Sequence, residues 1–272
     1  MKMVSAARLR RAQDRVVTAR PFANKMSEVL GELANRTSED FHHPLLDLRG
    51  DQRYLLVLVT ADKGLCGAFN TNLTKAAQAF MRDNADKNVE LIAVGRKGRD
   101  FFRNRRAVIA GEFLGITGRE RLQFSEALEV ARHIINLYTE DTGIDKVFVV
   151  FNEFKSVLTQ RVVLEQLLPI SRVKAEDLEA KSQQPVTLVD YIYEQPPEEL
   201  FGKLLPRLIE TQIFRALLES AASEHGARMT AMDSASKNAS ELIESLTLNM
   251  NRVRQAKITN EIIEVVSGAA AL

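Results

Sequence analysis

From Arg207 to Ser267 the chain runs 61 residues with a single helix breaker, Gly226. Apolar and small residues recur along it at three- and four-residue steps: Leu218, Ala221, Ala222, His225, Met229, Met232, Ala235, Ala239, Leu242, Leu246, Met250 and Val253. That spacing lays one stripe along one side of a helix. Arg228, Asp233, Lys237, Glu241, Glu244 and Arg252 fall mostly off it. At 1.5 Å per residue the stretch makes a rod of roughly 90 Å, two to three times the width of a small domain. A chain of 272 residues cannot bury such a rod within itself. Its stripe must therefore lie against a partner helix or another protein.

The first 36 residues also read as a long helix, with Met3, Ala7, Val16, Val17, Met26, Val29, Leu30 and Leu33 as an imperfect stripe. Pro21 should kink it or cost a hydrogen bond. Eight basic residues stand against three acidic ones here. The simplest reading is a solvated helix face, the other a basic face held near an acidic partner. The helical pattern starts at the first residues, so the chain is expected to begin inside an element, without a signal peptide.

Between the helices the character changes. Tyr54–Val59 is a continuous apolar run, as in a strand covered on both faces. A turn follows at Asp62-Lys63-Gly64-Leu65-Cys66-Gly67, then a helix to about Asp83 with Asn70 or Thr71 as cap. Further strands are expected at 91–95, 107–113, 146–151 and 156–168, and helices at 98–105 and 125–138. Alternating strands and helices argue for a mainly parallel sheet. Residues 171–197 are polar and turn-rich, with a short apolar patch at Val186–Val189, and Pro196-Pro197 suits a helix start. The expected organisation is α/β: 1–50 a stalk helix and loop, 51–197 a central Rossmann-like domain, 198–272 the second stalk helix. A helix enters the domain and another leaves it, so the two should pair as a long antiparallel coiled coil. Residues 1–36 would lie against about 207–242, and roughly 25 residues from Ile243 onward would lack an internal partner at 1.5 Å of rise each.

The composition excludes several classes. A net charge of +1 gives no global case for nucleic acid. One cysteine permits no internal disulfide. No apolar run is long enough to cross a bilayer. The turn at 62–67 has neither phosphate-loop nor GxGxxG spacing, so no nucleotide cofactor is expected. Cys66 at a helix start is the one candidate nucleophile, yet His42, His43, His133 and His225 bear no sequence relation to it. No metal-ligand spacing and no convergent catalytic set is present. Gly226 and the run Ala231, Ala235, Ala239 are read as small residues that let helices approach closely.

Several segments together resemble the gamma subunit of F-type ATP synthase. They are Met1–Ala7, Asp62–Gly67, Tyr191-Ile192-Tyr193-Glu194, Ala227–Met232 with Ala235–Ala239, and the terminal Ile258–Ala271. They occur in the family's order over nearly the whole chain. The family has a further stretch ahead of the segment resembling Met1, so this chain is expected to lack the first part of the N-terminal helix, leaving the C-terminal tip less covered. The resemblance implies a non-catalytic central-stalk rotor without cofactor. Its coiled coil would turn inside a ring of alpha and beta subunits, and its α/β domain would rest with the epsilon subunit on the membrane c-ring. Proton flow would drive it, and its asymmetry would set the ring's catalytic sites to different states. Arg254 and Gln255 match positions that bond an acidic loop of the ring. Lys63 and Cys66 match a region near the beta and epsilon subunits. Ile262 and Val266 belong to the terminal motif and are expected to contact the ring. A bacterial form is implied, peripheral on the cytoplasmic side of the inner membrane. Two other readings stay open: an α/β enzyme with Cys66 as nucleophile, and a coiled-coil adaptor using its basic helix on nucleic acid.

Overall fold

The computed structural model describes residues 1–36, 41–119, 121–141, 143–170 and 196–270. Val186–Val189 and Tyr191–Glu194 lie outside them. The elements in chain order are α1 (Lys2–Arg36), β1 (Arg53–Val59), α2 (Phe69–Asp83), β2 (Asn88–Val94), α3 (Arg96–Arg103), β3 (Ile109–Phe113), α4 (Phe124–Glu140), β4 (Lys146–Phe154), β5 (Gln160–Leu168) and α5 (Pro197–Ala270).

The sheet order is β3-β2-β1-β4-β5. β1 pairs parallel with β2 and β4, β2 parallel with β3, and β4 antiparallel with the edge strand β5. β1 explains why the sheet is covered twice. Leu55, Val57 and Val59 point to the core shared with α1, α4 and α5, while Leu56 and Leu58 point to the core under α2 and α3. The two-residue period of a strand sends alternate side chains to opposite faces, so only an unbroken apolar run can serve both. Each such Leu or Val leaving water contributes about 1.5–3 kcal/mol.

α1 and α5 lie antiparallel. Leu30 and Leu33 share a core with Leu205, Leu208 and Ile209, whereas Leu9 and Val16 share one with Leu218 and Ala222. The facing side of α1 has a strict seven-residue repeat: Leu9, Val16, Ala23 and Leu30, interleaved with Ser5, Ala12, Ala19, Met26 and Leu33. This is the 3.5-residue period of a two-stranded seam. It corrects the expected stripe, since Met3, Ala7 and Val17 face solvent. A stripe chosen by apolar type overlooks a seam partly built of Ser and Ala. The helix runs on through Pro21, which lacks the N–H that would have reached Val17.

α5 starts at Pro197, and Glu198 and Glu199 in its first turn suit the positive end of the helix. Its 74 residues make a rod of about 110 Å. Burial ends early. Phe201 to Gly226 pack against α1, α4 and the sheet, residues 227–233 are half-covered, and residues 234–269 are almost wholly exposed. The pairing thus stops near Asp233 rather than at 242. The unpartnered tip is 36 residues, about 55 Å, instead of about 25 residues. Gly226 does not serve helix approach. A Cβ there would meet Val157 O at 3.3 Å, so the glycine accommodates the β4–β5 hairpin.

Candidate subunit-contact surface

The turn after β1 is organised by Asp62. Its Oδ1 accepts from the N–H of Arg96 (3.0 Å) and Gly115 (3.1 Å). Its Oδ2 accepts from the Thr117 hydroxyl (3.0 Å) and the Gly118 N–H (2.9 Å). One carboxylate thereby ties together the chain ends leaving β1, β2 and β3. Glycine is required beside it. Gly95 has φ +96°, and a Cβ there would fall 2.1 Å from Thr60 O.

In parallel α/β sheets this edge is where nucleotides bind, on free N–H groups at a helix start. At one such helix start, that of α3, those groups are already taken. At the start of α3, Arg96 N–H is held by Asp62, Lys97 N–H by Ala61 O (3.1 Å), and Gly98 N–H by Thr60 Oγ1 (2.9 Å). A phosphate would have to displace an internal partner at each one.

α5 clasps the same turn. Arg228 donates to Gly64 O from Nε (3.3 Å) and Nη2 (3.2 Å), and pairs with Glu224 at 2.6 Å. Burial pushes the Glu224 carboxyl up, and Arg228 pulls it back. Cys66 lies beneath, 2 % exposed. Burial raises its thiol pKa, with Glu224 acting in the same direction. Asn70 Nδ2 donates to its sulfur at 3.1 Å, while Asn70 Oδ1 accepts from Ala61 N–H. Asn70 is thus a brace between the turn and α2, not the expected cap; α2 begins at Phe69 without a side-chain cap. This setting is that of an inert structural thiol rather than an activated nucleophile. Lys63 and Leu65 are what the turn presents to solvent, Leu65 at 64 % exposure. Cys66, expected at a subunit contact, lies inside the turn instead of on its surface.

The basic face of α1 is partly an internal device. Lys2 pairs with Asp233, Arg20 with Glu219 and Lys25 with Glu28.

The other four site residues sit on the tip. Arg254 and Gln255 are exposed, and neither side chain has a polar partner among the described residues. Ile262 and Val266 are likewise exposed. Leu242, Leu246, Met250 and Val253 continue the stripe, each 57–60 % exposed. The apolar stripe thus continues for several turns beyond the internal cores of the described residues. The structure therefore does not bring the site residues together: Lys63 and Cys66 lie at the root of the stalk, and Arg254, Gln255, Ile262 and Val266 beyond its paired part. Sequence reasoning placed Asp62 in the turn, Asn70 as a cap and Arg228 off the stripe, but missed their partners and did not single out Glu224, because those partners mostly lie on other elements and no local pattern announces them. None of the described residues forms a His/Cys/Asp/Glu cluster able to hold a metal. No helix among them is long and apolar enough to cross a membrane.

A family model described as ATP synthase matches residues 1–272. The ATP synthase gamma chain of Solibacter usitatus is 49% identical over 274 residues, covering 100% of this chain and 91% of its own. That of Geotalea daltonii is 48% identical with the same coverage. Among solved structures, a central stalk/c-ring chain of the Tetrahymena thermophila mitochondrial ATP synthase superposes with a TM-score of 0.64 at 24% identity, over 87% of this chain and 97% of that one. A chain of the Euglena gracilis mitochondrial ATP synthase gives 0.60 at 17% identity, over 99% and 94%. At those identities the two structures speak for the fold: a sheet domain with a long two-helix stalk.

Proposed function

This chain belongs to the ATP synthase gamma-chain family, and on that premise we propose that it is the rotor of a proton-translocating F-type enzyme, coupling proton flow through a membrane c-ring to ATP synthesis on a ring of alpha and beta subunits. The family's gamma chain is the central-stalk subunit rather than the catalytic one, within a membrane-bound complex. In the proposed arrangement the tip, with Arg254, Gln255, Ile262 and Val266, enters the alpha/beta ring. The sheet domain rests on the c-ring with the epsilon subunit, and Lys63 lies on the face toward the beta and epsilon subunits. The complex sits on the cytoplasmic side of a bacterial inner membrane.

The observation that carries this reading is the match of the whole chain to gamma chains, with an apolar stripe that continues along α5 past its internal cores. In a rotor the end of that stripe lies in a sleeve of other subunits.

The mechanism follows from symmetry. One rod in a threefold ring meets each beta subunit with a different face. Each contact adds a different free energy to that subunit's open–closed equilibrium, so turning the rod permutes the states. The rod supplies bias, and the bond-making groups belong to the ring.

Co-purification tests the reading. The tagged chain should bring down a ring of ATP-hydrolysing subunits in a one-to-three-to-three ratio. Recovery of the chain alone or as a homodimer, with normal expression of those subunits, would remove the proposal.

A further inference from the structure

Among the described residues, four groups of polar contacts fasten α5 to the sheet domain, at positions four or five residues apart. Arg215 Nη2 donates to Glu165 of β5 at 2.6 Å. Glu219 Oε2 accepts from the Phe154 N–H at 2.8 Å. The Ser223 hydroxyl donates to Asn152 O at 3.2 Å. Arg228, paired with Glu224, holds Gly64 O. Residues 215, 219 and 223 stack one helical turn above another, so they form a ladder along one face.

The second rung differs from the others because it also grips α1. Arg20 forks onto Glu219, Nε to Oε1 at 2.7 Å and Nη2 to Oε2 at 2.9 Å. Its Nη2 also donates to Phe154 O at 2.8 Å. Both backbone polar groups of Phe154 are therefore held by one ion pair that bridges the two stalk helices. Glu219 is buried, and the hydrogen bonds to it raise the Arg20 pKa.

Most of the remaining contact between stalk and sheet is apolar. Apolar contact is non-directional and resists twist weakly. A bidentate guanidinium–carboxylate pair fixes angles as well as distance. We propose that the Arg20–Glu219 pair, locked on Phe154, is the torque joint between the sheet domain and the two-helix stalk, with both residues acting as positioning residues for coupling. The proposal rests on the rotor reading above. It assigns a step of that function to a pair whose members lie 199 positions apart.

The test has two arms. In the full chain, with Cys66→Ala as background, spin labels at Asp86→Cys on the sheet domain and Ser236→Cys on the stalk report their distance distribution. Glu219→Gln and the milder Arg20→Lys should widen it about twofold, because each loses the bidentate geometry while keeping side-chain volume. Lys155→Gln, which breaks the exposed pair with Glu153, should leave it unchanged. In the second arm the variants are assembled with the alpha/beta ring and the membrane sector. Unloaded ATP hydrolysis should stay within about twofold of wild type, while protons pumped per ATP fall several-fold, since slip appears only under load. Unchanged distance widths, or pumping and hydrolysis lost in equal measure, would overturn the joint. Failure of the wild-type chain to assemble would instead remove the rotor reading, and the torque role with it.

Discussion

Lys2, at the first turn of α1, pairs with Asp233 of α5, so the two antiparallel helices are joined by an ion pair at this level. Below it every turn of α5 has an internal neighbour. Above it residues 234–269 are almost wholly exposed among the described residues. Asp233 also pairs with Lys237, so its carboxyl is held below the usual carboxylate range by two ammonium groups, Lys2 first.

The register can be checked directly. Cysteines at Lys2 and Asp233, or at Val16 and Ala222 lower in the seam, should oxidise to disulfides readily. A pair at Lys2 and Leu242 should not, because nine residues of helix separate 242 from 233, or about 13 Å. Efficient cross-linking of the second kind alone would put the stalk in another register.

The sheet domain should bind no nucleotide usefully. Isothermal titration of the chain with ATP or ADP should give no micromolar isotherm, since the turn at 62–67 has neither phosphate-loop nor GxGxxG spacing and the α3 N–H groups already have partners. Cys66 should react slowly with a thiol reagent in the native chain and quickly once unfolded, as burial and a raised pKa require. A saturable micromolar nucleotide site or a fast native thiol would count against this account.

Arg254 should matter only after assembly. Its exposed guanidinium has no partner among the described residues, so Arg254→Ala should leave the chain's own melting temperature unchanged. In the assembled complex a charge-assisted bond to a ring carboxylate, shielded from water, is worth about 1.5–3 kcal/mol. ATP turnover should then drop by roughly tenfold or more. Normal turnover of the assembled variant would remove the role.

His225 gives the stalk a pH dependence. Its imidazole is buried in the seam, and burial first, then Arg228 and Arg8, lower its pKa to about 4. The unfolded side chain takes its proton near the usual value of 6.5, so the unfolded state binds more protons between the two values. Stability from this residue is present above about pH 6.5 and is lost as pH falls toward 4, by at most on the order of 3 kcal/mol. Glu224 has the opposite effect, because its raised pKa lets the folded state bind the proton first. The difference between wild type and His225→Gln isolates the histidine. Urea midpoints at pH 7.5 and 5 should show a smaller fall in the variant, and an equal fall would refute the assignment.

The end of α5 should act as a bearing. Val265 and Val266 are exposed and followed by small residues, and apolar contact changes little with angle. Deleting residues 265–272, of which 271 and 272 lie outside the described part, should lower the yield of assembled complex more than turnover per complex. Normal assembly with hydrolysis uncoupled from rotation would place torque in the tail instead.

Much of this molecule was legible in the sequence because much of it is locally encoded. The apolar run of β1, the alternation of strands and helices, and the length of α5 each follow from periodicities of two or 3.6 residues that a few neighbours suffice to set. From α5 alone it also followed that the chain must end in a partner, since no domain of this size can bury such a rod. The tertiary structure decided what depends on which elements meet. It chose Ser5, Ala12 and Ala19 for the seam over the more apolar Met3 and Val17, and brought Arg20 to Glu219 and Arg228 to Gly64. A hydrogen bond between groups more than a hundred positions apart leaves no trace in either local pattern. Its geometry exists only once the helices have packed.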